Sequence, residues 1–338
     1  MTIPGSFVND SVQLAGKLQI DILQIGMEAQ NLSGDGQQKA LGNLTSSPDL
    51  TPGLHVHLTF LSVLNSFLSV TAFLGNSLIL IALHKESSLH PSSKLLLRNL
   101  AATDLLVGLI AEPLFVTFCM SFANKHWNML RYASAAGLTA ANIFCGVSVL
   151  TLTAISVDRL LALLLGLRYR QVVTLKRTYI VVIAIWVVST VYSAMEFWNP
   201  LITLWVAILV LSMCLVIACF SYTKIFFTLR HHQNQMQGHI QQPNQTNELN
   251  IARYKKAVSS AIWLQLTLVA CYLPFNIVVG LTSYSGLPLH LFYAWVYTST
   301  LVYLNSSLNP ILYCWKQEEI RQAVKNTIRQ VLCLCFSS

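Results

Sequence analysis

One acidic side chain, Asp104, falls in the middle of a long apolar run near residues 93–121. A carboxylate at such a depth is costly without partners and belongs on the inside of a helix bundle. Other apolar runs carry amides and hydroxyls that can meet it: Asn76, Ser148, and the trio Asn305, Ser306 and Asn309. Asn305 and Asn309 are four residues apart and so share one helix face. A carboxylate ringed by hydroxyl and amide oxygens is a hard-oxygen site suited to a small monovalent cation. The same residues can instead form a polar network that joins helices, and residue types alone leave both readings open. A second pair, Asp158-Arg159, puts acid beside base at the end of another apolar run. Pro274 and Pro310 lie inside two further runs. Proline breaks a helical hydrogen bond and bends the helix, which makes a hinge.

These residues need long apolar elements to hold them. The 338-residue chain is 54% hydrophobic and only 10% charged, with a mean hydropathy of +0.57. Soluble domains carry about 25% charged residues, so a soluble enzyme, a disordered chain and a nucleic-acid binder are all excluded. Apolar stretches at 56–83, 93–121, 129–162, 177–198, 201–229, 256–282 and 288–315 are each long enough to cross a bilayer core about 30 Å thick. They must be helices, because lipid leaves no partner for an unpaired backbone group. The expected fold is an all-α membrane protein, a bundle of seven transmembrane helices.

The basic residues give the orientation. Lys17, Lys39, Lys125 and Arg131 fall on the amino-terminal side, and the rest of the 21 Lys and Arg fall on the other. By the positive-inside rule the amino terminus is outside and the carboxyl terminus inside, in a multi-pass protein of the plasma membrane. The net charge of +8 is thus a topology label, and it attracts anionic lipid of the inner leaflet.

Three segments follow. Residues 1–54 read as a disordered outside tail with glycosylation sequons at Asn9, Asn31 and Asn43, and no signal-peptide pattern. Residues 55–315 form the membrane domain. In residues 316–338, Ile320, Ala323, Val324, Ile328 and Val331 recur every three or four positions, which predicts a short amphipathic eighth helix on the inner leaflet. Cys333 and Cys335 follow as palmitoylation candidates. The Gln- and His-rich stretch around 231–250 reads as a solvated inside loop. No nucleophile–base pair shares a span, so no enzyme activity is expected, and a transporter with a polar midplane ion site is the alternative.

Several motifs in order resemble the rhodopsin-like (class A) G-protein-coupled receptors. They are Gly75-Asn76, the run Leu100-Ala101-Ala102-Thr103-Asp104, Asp158-Arg159-Leu160, Trp186, Tyr222, Cys271-Tyr272-Leu273-Pro274 and Asn309-Pro310-Ile311-Leu312-Tyr313. The resemblance implies an extracellular ligand bound between the outer helix halves, outward movement of the sixth helix at Pro274, and engagement of a heterotrimeric G protein. Asp158, Arg159, Tyr222, Tyr272, Pro274, Asn309, Pro310 and Tyr313 would be its switch residues. Asp104, Ser148, Asn305, Ser306 and Asn309 match the family's sodium pocket. No cofactor is implied beyond that allosteric sodium ion.

Departures from the family pattern narrow the ligand. Ser134 stands where the family has its outer cysteine, and Cys214 near its fifth-span proline. The melanocortin and lipid-binding branch is similar in lacking both. Ala141 replaces the aspartate of amine receptors, so a cationic monoamine is not expected, and Tyr303 replaces the lysine of opsins, so a photoreceptor is not expected. The expected pocket of Glu112, Ala141, Asn142, Cys145, Tyr272, Phe275, Asn276 and Tyr303, with Trp295, Tyr297 and Thr300, has Glu112 as its one charge. It suits an uncharged or amphiphilic small molecule, or a peptide, and Glu112 reads either as a ligand anchor or as a snorkelling residue. Tyr254 stands where many members have an acid, so Arg159 is expected to lean on Asp158, a weaker lock that would raise basal activity.

Overall fold

The computed structural model describes residues 51–85, 90–238, 263, 266–282, 289–316 and 318–336. All the described elements are helical. Helix α1 spans Thr51–Lys85, α2 Pro91–Ala123 and α3 Trp127–Leu165. A one-turn helix, Tyr169–Val172, leads to α4, Leu175–Trp198. Helix α5 spans Pro200–Gly238, α6 Leu266–Thr282, α7 Leu289–Lys316 and α8 Glu318–Phe336.

Five of these, α1 to α4 and the Ile202–Thr228 part of α5, are long and apolar enough to cross a membrane. Helix α6 is a shorter apolar helix; the first part of the expected sixth span, 256–265, lies outside the described residues except for Trp263. Several helices outrun their apolar stretches. Helix α1 begins at Thr51 rather than near 55, with Pro52 in the first turn, where its missing N–H costs nothing.

The helices have an apolar outside and a polar seam within. On α1, Val56, Phe60, Val63, Phe67 and Val70 are exposed, whereas Leu58, Leu61, Asn65, Ala72 and Asn76 are buried. Large apolar groups on the rim suit lipid, and the polar ones turn inward. Asn99 ties three helices together. It donates to Thr151 Oγ1 of α3 at 2.8 Å and accepts from Trp186 Nε1 of α4 at 2.9 Å.

Helix α2 is not regular. Residues Val107–Ala111 form a π-turn just before Glu112 and Pro113. Pro113 has no N–H to give, and a π-turn is one way of absorbing that loss. Ser69 of α1 donates to the carbonyl of Gly108 at 2.6 Å. That contact needs α1 and α2 very close: a Cβ at Gly108 would lie 2.8 Å from Ala72 Cβ and 2.9 Å from the Ser69 carbonyl.

Helix α8 is amphipathic, as its spacing predicts. Ile320, Val324 and Thr327 are buried while Arg321, Lys325 and Arg329 are exposed. Its buried face packs against α1 and α7. Ile328 departs from the expected apolar stripe, being 39% exposed.

Candidate functional site

Helices α2, α3 and α7 bring the polar residues of the sequence to one point. Asp104 is fully buried. Its Oδ1 accepts from Ser148 Oγ and from Ser306 Oγ, both at 2.9 Å. Its Oδ2 accepts from Asn309 Nδ2 at 2.7 Å. Asn76 donates to the carbonyl of Ser306 at 3.0 Å and so ties α1 to the same place on α7.

The network is not closed. Asn305 is fully buried, and neither its Oδ1 nor its Nδ2 has a hydrogen-bond partner. Asn76 Oδ1, Asn309 Oδ1 and the Tyr313 hydroxyl are buried and unpartnered as well. Such groups lose their hydration without compensation unless water or an ion supplies it. Among the described residues no group of three or more His, Cys, Asp or Glu gathers. What remains on offer is one carboxylate with hydroxyl and amide oxygens, a donor set that fits a small hard cation.

At the Asp158 end of α3 the arrangement differs from expectation. Asp158 is buried and accepts from Ser93 Oγ at 2.9 Å and from the Tyr169 hydroxyl at 2.7 Å. Its carboxylate is taken by these two neutral donors, and it makes no ion pair with Arg159. The expected Asp158–Arg159 lock is therefore corrected. Arg159 is half-buried on the next position of the helix, and Tyr169, on the one-turn helix that follows α3, was not foreseen as the partner. Burial is the main cause that pushes the Tyr169 phenol up to about 12, and the neighbouring Asp158 adds to it. Tyr169 thus stays protonated and donating near neutral pH. Tyr222 lies on α5, but its side chain is outside the described residues, as are Tyr254, the sequons at Asn9, Asn31 and Asn43, and the side chains of Cys333 and Cys335.

Towards the opposite end of the helices lies a cavity of about 340 Å³. Ala141, Asn142, Cys145, Tyr272, Phe275 and Tyr303 line it as expected, with Trp295. Tyr272 and Tyr303 are buried. Phe115 and Phe118 extend the aromatic wall, with Phe115 5.1 Å from the Tyr303 ring and Phe118 5.9 Å from Trp295 between centroids.

Four expected members are elsewhere. Asn276 donates to Ser212 Oγ of α5 at 2.9 Å and joins the two helices rather than lining the cavity. Glu112 is also absent from the wall. It is fully buried, and neither carboxylate oxygen has a hydrogen-bond partner, so it does not snorkel to an interface either. The π-turn between Asp104 and Glu112 adds a residue to one turn of α2 and shifts the side chains that follow it around the helix. Tyr297 and Thr300 lie off the cavity as well. Tyr297 shares a 2.8 Å hydrogen bond with His57 Nδ1, and Thr300 accepts from Asn65 Nδ2 at 3.0 Å.

The charge in the cavity wall is instead Glu196, in the last turn of α4. It is 5% exposed, and its Oε2 accepts from Asn142 Nδ2 at 3.1 Å. The sequence offered one signal for it, an acid near the end of an otherwise apolar stretch. That signal is ambiguous, because a span end is also where interfacial charges sit.

The six described cysteines in the helices are all free. Ser134, at the position of the family's outer cysteine, donates to the Arg131 carbonyl at 2.9 Å.

The family model of the 7 transmembrane receptor (rhodopsin family) matches residues 75–199 and 193–313. Adenosine receptor A3 of Canis lupus familiaris is 26% identical over 302 residues, 80% of this chain and 90% of that receptor. Muscarinic acetylcholine receptor M3 of Mus musculus is 28% identical over 187 residues, 55% of this chain and 29% of that receptor. The crystal structure of squid rhodopsin superposes with a TM-score of 0.67 at 19% identity, over 83% of this chain and 87% of that one. The squid rhodopsin match bears on the fold. The adenosine and muscarinic relatives bear on the family, not on a finer placement beside the melanocortin and lipid-binding branch.

Proposed function

The chain belongs to the rhodopsin family of seven-transmembrane receptors and is a G-protein-coupled receptor, and from that premise we propose how its parts work together. A small molecule from outside enters the cavity bounded by Ala141, Asn142, Cys145, Tyr272 and Tyr303. Its arrival favours a state in which α6 swings at Pro274 and the Asp158 end of the bundle opens. Arg159 and Tyr222 then meet a heterotrimeric G protein. A sodium ion held by the oxygens around Asp104 favours the resting state. The protein sits in the plasma membrane with its amino terminus outside.

One observation carries this reading. Helix α3 lines the cavity with Ala141, Asn142 and Cys145, supplies Ser148 to Asp104, and ends in Asp158 and Arg159. Three sites on one rigid element cannot change independently. A ligand that fits one position of α3 better than another shifts all three, by no more than its difference in affinity. Tyr272 makes the second link, since it lines the cavity two residues before the proline of α6. The family match leaves the transporter reading without support.

Nucleotide exchange on purified G proteins, read with the receptor in lipid nanodiscs, tests the proposal. The receptor raises exchange, Arg159→Ala abolishes the increase, and sodium lowers it relative to potassium. Asp104→Asn removes the sodium effect, because it takes away the carboxylate charge that would hold the ion. Exchange equal to empty nanodiscs across a ligand library would reject the receptor mechanism. A sodium effect that survives Asp104→Asn would reject the ion site.

A further inference from the structure

We infer that the ligand of the cavity carries a protonated nitrogen that is recognised by Glu196 of α4. The inference rests on the receptor reading and names the chemistry of its ligand.

Glu196 is the one charged residue in the cavity wall among the described residues. Among the described residues the rest of the wall is apolar, aromatic or neutral polar, with no lysine, arginine or histidine in it. Glu196 lies in the last turn of α4, where the helix dipole disfavours an anion, and it is 5% exposed. Burying a charge is costly unless it is paired, and a cationic group of a ligand would give this cavity-lining carboxylate a partner from the cavity side.

The local chemistry favours a cation. Asn142 donates to Oε2 and fixes the orientation of the carboxylate across from α3. Ser189 also lines the cavity, and its buried hydroxyl has no hydrogen-bond partner. It is ready to accept from an N–H group. Tyr192, Tyr272, Trp295 and Phe275 line the same space, and aromatic rings attract ammonium groups. With Ala141 in span three, an acid of the amine-receptor type is absent from α3. The structure supplies the acid from α4 instead, one helix away and across the cavity wall. The ligand is therefore an organic cation with an apolar body that fits a space of about 340 Å³.

The test uses the full-length receptor in nanodiscs and direct binding, so it does not depend on a G protein. Tryptamine, 4-phenylbutylamine and 1-adamantylamine are compared with their N-acetylated, uncharged counterparts by thermal-shift titration. At least one amine binds at least about tenfold more tightly than its acetylated partner, in line with a charge-assisted hydrogen bond. Glu196→Gln removes that preference, and Glu196→Asp retains part of it. The melting temperature of each unliganded variant reports folding. Equal binding of charged and acetylated probes, a preference that survives in Glu196→Gln, or no binding by any of the three amines would overturn the inference. Sodium-sensitive nucleotide exchange on the same preparations reports the receptor reading separately.

Discussion

Asp158 and Tyr169 show how one hydrogen bond sets what a charged residue can do. Asp158 spends both oxygens on Ser93 and Tyr169, which leaves Arg159 beside it on α3 without that carboxylate as an ionic partner. Tyr169→Phe deletes one of the two donors and keeps the ring. The variant is expected to lose about 1.5–3 kcal/mol of stability, the range for a hydrogen bond to a charged group, read by thermal or denaturant unfolding. The phenol of Tyr169 is raised to about 12 in the fold from about 10 unfolded. A raised value favours the protonated donor, so its contribution is complete below about pH 10 and fades as the pH climbs through about 12. The stability gap between the two proteins is therefore expected to stay flat between about pH 6 and about pH 9. A gap that changes across that interval would show that Tyr169 titrates there and is not the buried donor described.

Elements explain what single residues do not. The π-turn Val107–Ala111 comes just before Glu112, and within it the Gly108 carbonyl accepts from Ser69 of α1. The close approach of α1 and α2 depends on the absent side chain at Gly108. Gly108→Ala puts a Cβ 2.8 Å from Ala72 Cβ and 2.9 Å from a backbone oxygen, and backbone cannot step aside as a long side chain can. A loss of about 1–3 kcal/mol is expected from overpacking, seen as a lower melting temperature. At Gly280 of α6 an added Cβ meets nothing within 4 Å. Gly280→Ala is expected to gain about 0.5–1 kcal/mol from helix propensity. Equal effects at the two glycines would refute the close helix contact.

At the scale of the molecule the charge distribution and the packing make separate contributions. The basic residues cluster at one end of the helices, which predicts the orientation in the membrane. An epitope tag before α1 is expected to be stained on intact cells, and a tag after α8 only after permeabilisation. The reverse pattern would overturn the topology and, with it, the assignment of the cavity to the outside. Packing decides how the ends communicate. Helix α3 runs from the cavity through Ser148 to Asp158, and α7 runs from Trp295 through Ser306 and Asn309 to Tyr313. Displacement at one end of either helix is felt along its length, because closely packed interiors have few intermediate arrangements.

Hydrophobic run lengths determined the helices and the membrane, because lipid leaves a chain no other way to pair its backbone. The cluster around Asp104 was equally legible, since polar groups at matching depths in a bundle have nowhere to turn but towards one another. Three things waited for the tertiary structure. Glu112 was expected in the cavity wall or at the interface, and only the packed structure shows it buried outside that wall. The Asp158 partner was misassigned because Tyr169 reaches it from a separate one-turn helix. Glu196 was passed over because only the packing of α4 on α3 brings its carboxylate beside Asn142. Sequence periodicity fixes which face of a regular helix is buried. It carries no information on a shifted turn, or on which side chains from different helices meet in a shared cavity.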